Sequence, residues 1–241
     1  MTARSHRSRT PVQVRMFSSR LIVAAFLAFV PAAAFADNGD FPIRADDGTI
    51  VANHRVPAEV ESQIEKLPGV VVVGNPHGEV TLNEFYDVNC PYCRKASADI
   101  DALLKGNAEL RLVLVPFPVL GIASIQGTRV ELAVKLLAPK KFYAFHRMLD
   151  TSRGVVDGNR ALAAAKALGL DTAKVTQVAN EGALADVMAA HVRLGDALAI
   201  QATPGFVIKG VAIVGYPGPQ ALGKLIQSVQ RCDAVICGGK P

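Results

Sequence analysis

The chain of 241 residues lacks tryptophan, draws only 6% of its positions from aromatics and holds four cysteines. It shows no internal repeat, which excludes a solenoid or a propeller. It has no apolar run of membrane-spanning length. The marked one, Leu21–Val30, covers ten residues, and a spanning helix needs about 20. Acid is missing from the first 36 residues, where Arg4, Arg7, Arg9, Arg15 and Arg20 stand.

That last absence identifies the segment. A basic stretch, then Leu21–Val30, then the small-x-small sequence Ala34-Phe35-Ala36 are the three parts of a secretory signal peptide. Residues 1–36 are read as that signal, cleaved after about Ala36, with Met16 an alternative start. Without its five arginines the 26 Lys+Arg fall to 21, against 21 Asp+Glu. The net charge of +5 and the pI of 9.1 therefore belong to the precursor. No nucleic-acid surface is expected, and the mature chain is expected not to span a membrane. An exported protein works in an oxidising compartment, periplasmic or extracellular, where a disulfide is a normal state of a cysteine pair.

Residues 37–241 suffice for one domain with a sizeable core. Residues 37–73 read as a polar lead-in with one short helix, Pro57 to Leu67. Val70–Val73 is β-branched, and Val80–Asp87 reads as a buried strand that ends at "NCPYCRK", residues 89–95. In "RKASADIDALLKGN", Ala96, Ile100, Leu103 and Leu104 share one helical face. "ELRLVLVPFPVL" is a second buried strand, stopped by Pro116 and Pro118. From about 122 to 200 the chain is rich in Ala and Leu and lacks strand alternation. Pro139, Gly154, Gly158, Gly169, Asp171 and Gly182 divide it into four or five helices. Phe206–Ile208 and Val211–Val214 flank Lys209-Gly210 as a hairpin. A last helix starts near Pro219. This order gives an α/β sheet over residues 74–241, split by a helical insertion.

Cys90-Pro91-Tyr92-Cys93 lies where a strand passes into a helix. The first helical turn offers unpaired N–H groups and the positive end of the dipole. Both favour a thiolate, the nucleophile of disulfide exchange, so the Cys90 pKa is expected to be depressed. Pro91 suits the first turn, where its missing N–H costs nothing. Cys93, one turn on, can attack the Cys90 sulfur. A zinc site needs a second pair or nearby histidines, whereas His54, His77, His146 and His191 are scattered. A staple across two residues gains little from loop closure. Arg94 and Lys95 read as surface charge, and His146 as a packed or surface histidine.

"NEFYDVNCPYCRK" resembles the active-site segment of the DsbA family of thioredoxin-fold thiol–disulfide oxidoreductases, and "ATPGFVIKG" (residues 202–210) resembles its Thr–cis-Pro loop. The resemblance covers about residues 74–231, and the family carries a helical insertion in the same place. It implies that Cys90 attacks, that Cys93 resolves, and that Thr203 and a cis Pro204 pair with an extended substrate. It puts a proton-transfer acid at Glu84. The residue could equally be a solvent-facing strand position, and Asp87 competes for the role. No cofactor is called for. The partners implied are cysteine-containing exported proteins and a membrane-bound redox partner. Pro91-Tyr92 departs from the Pro-His of oxidant members and resembles the glutaredoxin pair, which leaves the direction of electron flow open. "PFPVLG" could border a peptide groove or simply end a strand.

Three alternatives stay open. One is an isomerase or reductase of the same fold, for which residues 37–73 are a short dimerisation segment. The others are a copper-binding chaperone module using the CxxC and a non-catalytic binding domain. Cys232 and Cys237 sit about 140° apart if on one helix, so a bridge requires the helix to end near Asp233 or Ala234. A structural disulfide that pins the C-terminus is expected there.

Overall fold

The structure is a computed structural model that describes residues 39–238. The signal-peptide reading, residues 1–36, falls outside them. In chain order come β1 (Asn53–Arg55), α1 (Ala58–Glu61), β2 (Val71–Gly74), β3 (Val80–Tyr86), α2 (Pro91–Gly106) and β4 (Leu110–Pro116). Five helices follow: α3 (Ile122–Leu137), α4 (Phe142–Thr151), α5 (Gly158–Ala167), α6 (Thr172–Ala179) and α7 (Gly182–Ala197). The chain closes with β5 (Gly205–Ile208), β6 (Val211–Val214) and α8 (Pro219–Cys232).

The strands form one six-stranded sheet in the order β1-β6-β5-β3-β4-β2. Only β3 and β4 run parallel, joined through α2; every other pairing is antiparallel. Both central strands are buried along nearly their whole length, as strands with helices on both sides must be. Period-two alternation then sorts their side chains. Leu82, Tyr86, Leu110, Leu112 and Leu114 join α2, α8 and helices α3 to α6 in the larger core. Phe85, Val113, Val115 and Val207 face the other way, onto Ile64 and the α7 residues around Leu194.

The lead-in belongs to this sheet. β1 pairs with β6 at one edge and β2 with β4 at the other. Ile43 and Val51 are core residues, and the buried Asn53 side chain bonds the backbone of Phe41 and Val51. Asp46 accepts from the N–H groups of Gln220 and Ala221 (3.0 and 2.7 Å), capping α8 from a distant part of the chain. A three-residue edge strand has too little periodicity to show in sequence. The helix expected over Pro57 to Leu67 is also different. It is α1 followed by a 3-10 turn, Ile64–Lys66, because Ile64 alone in these pieces is fully buried and tightens the turn onto the sheet.

The five helices of the insertion lie between β4 and β5. Gly127 lets α3 approach the active-site loop, since a Cβ there would stand 3.1 Å from the Val156 carbonyl oxygen and 3.2 Å from Val88 Cγ2. α8 ends at Cys232 with Asp233 in the left-handed region (φ 56°), and Cys232 is bonded to Cys237. The turn seats Val235 in the larger core.

Phe85 is fully buried and meets the Phe117 ring edge-to-face at 5.8 Å. Phe85→Ala is expected to cost about 3–5 kcal/mol, measured by denaturant unfolding. Replacing Cys232 and Cys237 together by serine should cost about 2 kcal/mol for a loop this short and lower Tm.

Candidate active site

β3 ends where Asp87, Val88 and Asn89 turn the chain into α2. The Cys90 N–H closes this turn on the Asp87 carbonyl oxygen at 2.9 Å. Cys90 is the N-cap of α2, with extended backbone (φ −74°, ψ 120°) and Pro91 at the first helical position. Its Sγ accepts from the Cys93 N–H at 3.3 Å. Both cysteines are free thiols, each 3% exposed, while Tyr92 between them is 64% exposed.

The second wall comes from more than a hundred residues away. The antiparallel pairing of β3 with β5, Phe85 opposite Gly205, carries the segment before Gly205 to the cysteines. The Thr203–Pro204 peptide bond is cis. In its thiol form Cys90 donates to the Thr203 carbonyl oxygen at 3.1 Å. The Pro204 carbonyl oxygen accepts from the Gly215 N–H at 3.0 Å, which ties the loop to the hairpin. The structure thus brings Cys90, Pro91, Tyr92, Cys93, Thr203 and Pro204 into one site. Cys232 and Cys237 are bonded to each other after α8, outside it.

The two thiols differ sharply. The hydrogen bond with Cys93, opposed by burial and aided by the Thr203 side chain and the Cys93 and Tyr92 amides, lowers Cys90 to about 6. Burial first, then the bond to Cys90 and the charge of Glu84, push Cys93 far above the ordinary thiol range. One sulfur is a nucleophile near neutral pH and the other holds its proton.

Glu84 lies on the larger-core face of β3, 4% exposed, and burial raises it to about 8. Asp87 is placed otherwise. Oδ1 accepts from the Asn89 N–H (2.8 Å) and Ser124 Oγ (2.7 Å), and Oδ2 from the Leu120 N–H (2.9 Å). These three bonds occupy it as a brace between the cysteine loop and the start of α3. Sequence reading missed Asn89, which donates to Ser124 Oγ and the Val156 carbonyl oxygen and accepts from the Val156 N–H at 2.7 Å. It also misplaced Arg94. The guanidinium is a clamp, donating to the carbonyl oxygens of Val88, Ser152 and Gly154 at 3.1–3.3 Å. No local pattern marks these residues, because all their partners except Val88, six positions before Arg94, lie 35 to 67 positions away.

The braces hold apolar side chains in the open. Val119, Leu120, Ile122 and Val155 are 44%, 54%, 76% and 62% exposed, next to the groups bonded to Asp87 and Asn89. They stand on segments tied to the cysteine loop, and Tyr92, between the two cysteines, is exposed as well. Among the described residues no three His, Cys, Asp or Glu side chains converge as a metal site, and no helix is long and apolar enough to cross a membrane.

A family profile described as Thioredoxin matches residues 66–228. A thioredoxin-like oxidoreductase from Silicibacter pomeroyi DSS-3 is 31% identical, with a TM-score of 0.65 over 71% of this chain and 96% of that one. The thiol-disulfide exchange protein α-DsbA2 from Wolbachia pipientis is 23% identical, with a TM-score of 0.66 over 71% and 92%. A periplasmic thioredoxin-like protein from Salmonella enterica serovar Typhimurium is 20% identical, with a TM-score of 0.62 over 72% and 97%. No curated protein matches the chain.

Absorbance of the thiolate near 240 nm should titrate with a midpoint near pH 6 in the reduced protein and vanish in Cys90→Ala. The Cys90 pKa lies below its ordinary value of 9.0. Its stabilisation of the folded dithiol is therefore complete above pH 9 and lost as pH falls through about 6. The difference in unfolding free energy between the reduced protein and reduced Cys90→Ala should shrink over that window.

Proposed function

From the premise that the chain belongs to the thioredoxin family, we propose that it is an exported oxidoreductase that forms disulfides in secreted or periplasmic proteins. The observation that carries this reading is the pair of unequal thiols beside the cis Thr203–Pro204 bond.

The site resides in the oxidised form at the start of a cycle. A substrate thiolate attacks Cys90 Sγ, the bond to Cys93 breaks, and Cys93 takes the electron pair and then a proton. A second substrate thiolate attacks the substrate sulfur of the mixed disulfide, and Cys90 leaves as a thiolate. Two substrate thiols are oxidised and one enzyme disulfide is reduced. Cys90 is the good leaving group, because its thiolate is held at about 6. A stabilised reduced form also makes the pair a stronger oxidant. The cycle then needs a redox partner, read as membrane-bound, to restore the Cys90–Cys93 disulfide.

The exposed side chains of Tyr92, Val119, Leu120, Ile122 and Val155 support an unfolded or partly folded polypeptide as substrate, since such chains expose apolar side chains. Thr203 and Pro204 supply the edge on which an extended segment lies. Glu84 is the acid that exchanges a proton with Cys93, and the Cys232–Cys237 bond is structural. Residues 1–36 act as the export signal.

Cys90→Ser should abolish oxidation of a reduced test protein, and Cys93→Ser should accumulate a mixed disulfide visible on a non-reducing gel. Retained oxidation in Cys90→Ser overturns the reading. Equilibration with glutathione should place the potential between about −270 mV, that of a reductant, and about −120 mV, that of a strong oxidant. A value at the lower limit reverses the direction and makes the protein a reductase or isomerase.

A further inference from the structure

His146 is a buried histidine that takes no part in the thiol exchange steps themselves. It is 4% exposed, on α4. Nδ1 is 2.8 Å from Glu131 Oε1 and Nε2 is 3.3 Å from Asp150 Oδ2. A neutral imidazole has one N–H and would turn a lone pair on one of these carboxylates. Only the imidazolium donates to both. Glu131 is fully buried, its Oε2 has no hydrogen-bond partner, and Oε1 meets His146. A buried carboxylate so placed needs a cation against it.

The ring also packs edge-on to Tyr86, with centroids 4.6 Å apart. Tyr86 and Glu84 are alternate residues of β3 and share a face, about 7 Å apart along the strand. The titratable and charged groups around His146 come from each element packed on it. They are Glu84 and Tyr86 from β3, Glu131 from α3, and Asp150 and Tyr143 from its own helix. Ser97 of α2 donates to Asp150 at 2.5 Å, and Arg147 joins Asp150 (3.3 Å) to Asp101 of α2 (2.8 Å). The helix that carries the cysteines is thus bolted to the His146 cluster.

We propose that His146 is a positioning residue for the thiol exchange: a fixed buried imidazolium whose charge lets Glu84 ionise and so take the proton of Cys93. The proposal deepens the oxidoreductase reading and rests on it. When Cys93 resolves a mixed disulfide, its thiol proton passes to the Glu84 carboxylate. The Cys93 thiolate then attacks Cys90 Sγ, and the other sulfur leaves with the electron pair. Burial alone favours a neutral Glu84, which cannot accept a proton. The largest influence that opposes burial at Glu84 is His146. Its own burial is outweighed by Asp150, Glu131 and Glu84, which raise it to about 9.

The test uses the full reduced protein and 5,5′-dithiobis(2-nitrobenzoate). Attack by Cys90 releases one thionitrobenzoate, and attack by Cys93 on the mixed disulfide releases the second, so the two phases separate. The second-phase rate of the wild-type protein should rise with pH through a midpoint near 8, where Glu84 titrates. His146→Gln should move that midpoint up by about one pH unit and slow the phase about tenfold at pH 7. In a Glu84→Gln background, His146→Gln should make no further difference. An unmoved midpoint, or an equal shift in the Glu84→Gln background, overturns the role of His146. A wild-type protein with no first phase takes down the disulfide-exchange reading with it. Should His146→Gln not fold, nitrogen-15 spectra of the wild-type imidazole decide. Both ring nitrogens protonated at pH 7 supports the proposal, and a neutral ring at that pH overturns it.

Discussion

The site hangs on one placement: the Cys90 sulfur at the N-terminal end of α2, facing the Cys93 N–H and the Thr203 carbonyl oxygen. A thiolate there meets unpaired helix N–H groups and the positive end of the dipole. Everything around the pair serves that placement. β3 delivers the turn, Pro91 starts the helix where no N–H is needed, and the β3–β5 pairing brings the cis-proline loop alongside. A register slip of one residue between β3 and β5 would turn Phe206 and Val207 to the wrong faces and carry Thr203 away from the sulfur.

The insertion does more than fill space. α3 meets the cysteine loop through Asp87, Asn89 and Ser124, and Arg94 clamps the turn after α4. α4 and α3 supply His146, Glu131 and Asp150. The helical block and the loop leading into it therefore carry the exposed Leu120, Ile122 and Val155 and also the buried ionisable cluster around His146. Such an arrangement separates the two demands of the chemistry. In the proposed cycle an extended partner would meet an apolar surface, while the proton would be exchanged among buried groups.

Much of this was legible in the chain. The strand–CPYC–helix passage, the Ala/Leu-rich block and the paired apolar runs around Lys209-Gly210 each carry a strong local period or a turn signal. The edge strand β1 was not, since three residues offer no period and its pairing partner is more than a hundred residues away; the β-branched run Val70–Val73 marked β2, but not its place at the opposite edge, about forty residues from its partner. The same limit hid Asn89 and the clamp of Arg94. Asp87 and Glu84 show the difficulty within one strand end. Both are acids just before Cys90, and the three hydrogen bonds on Asp87 distinguish its surroundings from those of Glu84.

By itself, the sequence determined the helix-capping cysteine, the second cysteine one turn later, the burial of both central strands and the helical character of the insertion. These follow from neighbours a few positions apart, where geometry is fixed by the backbone period. Only the tertiary structure decided which carboxylate is taken up by hydrogen bonds and which is buried without them, which apolar side chains stay exposed and which ionisable groups share the larger-core side with Glu84. Those depend on burial and on partners distant in the chain. A carboxylate or an imidazole takes its charge from what it is packed against.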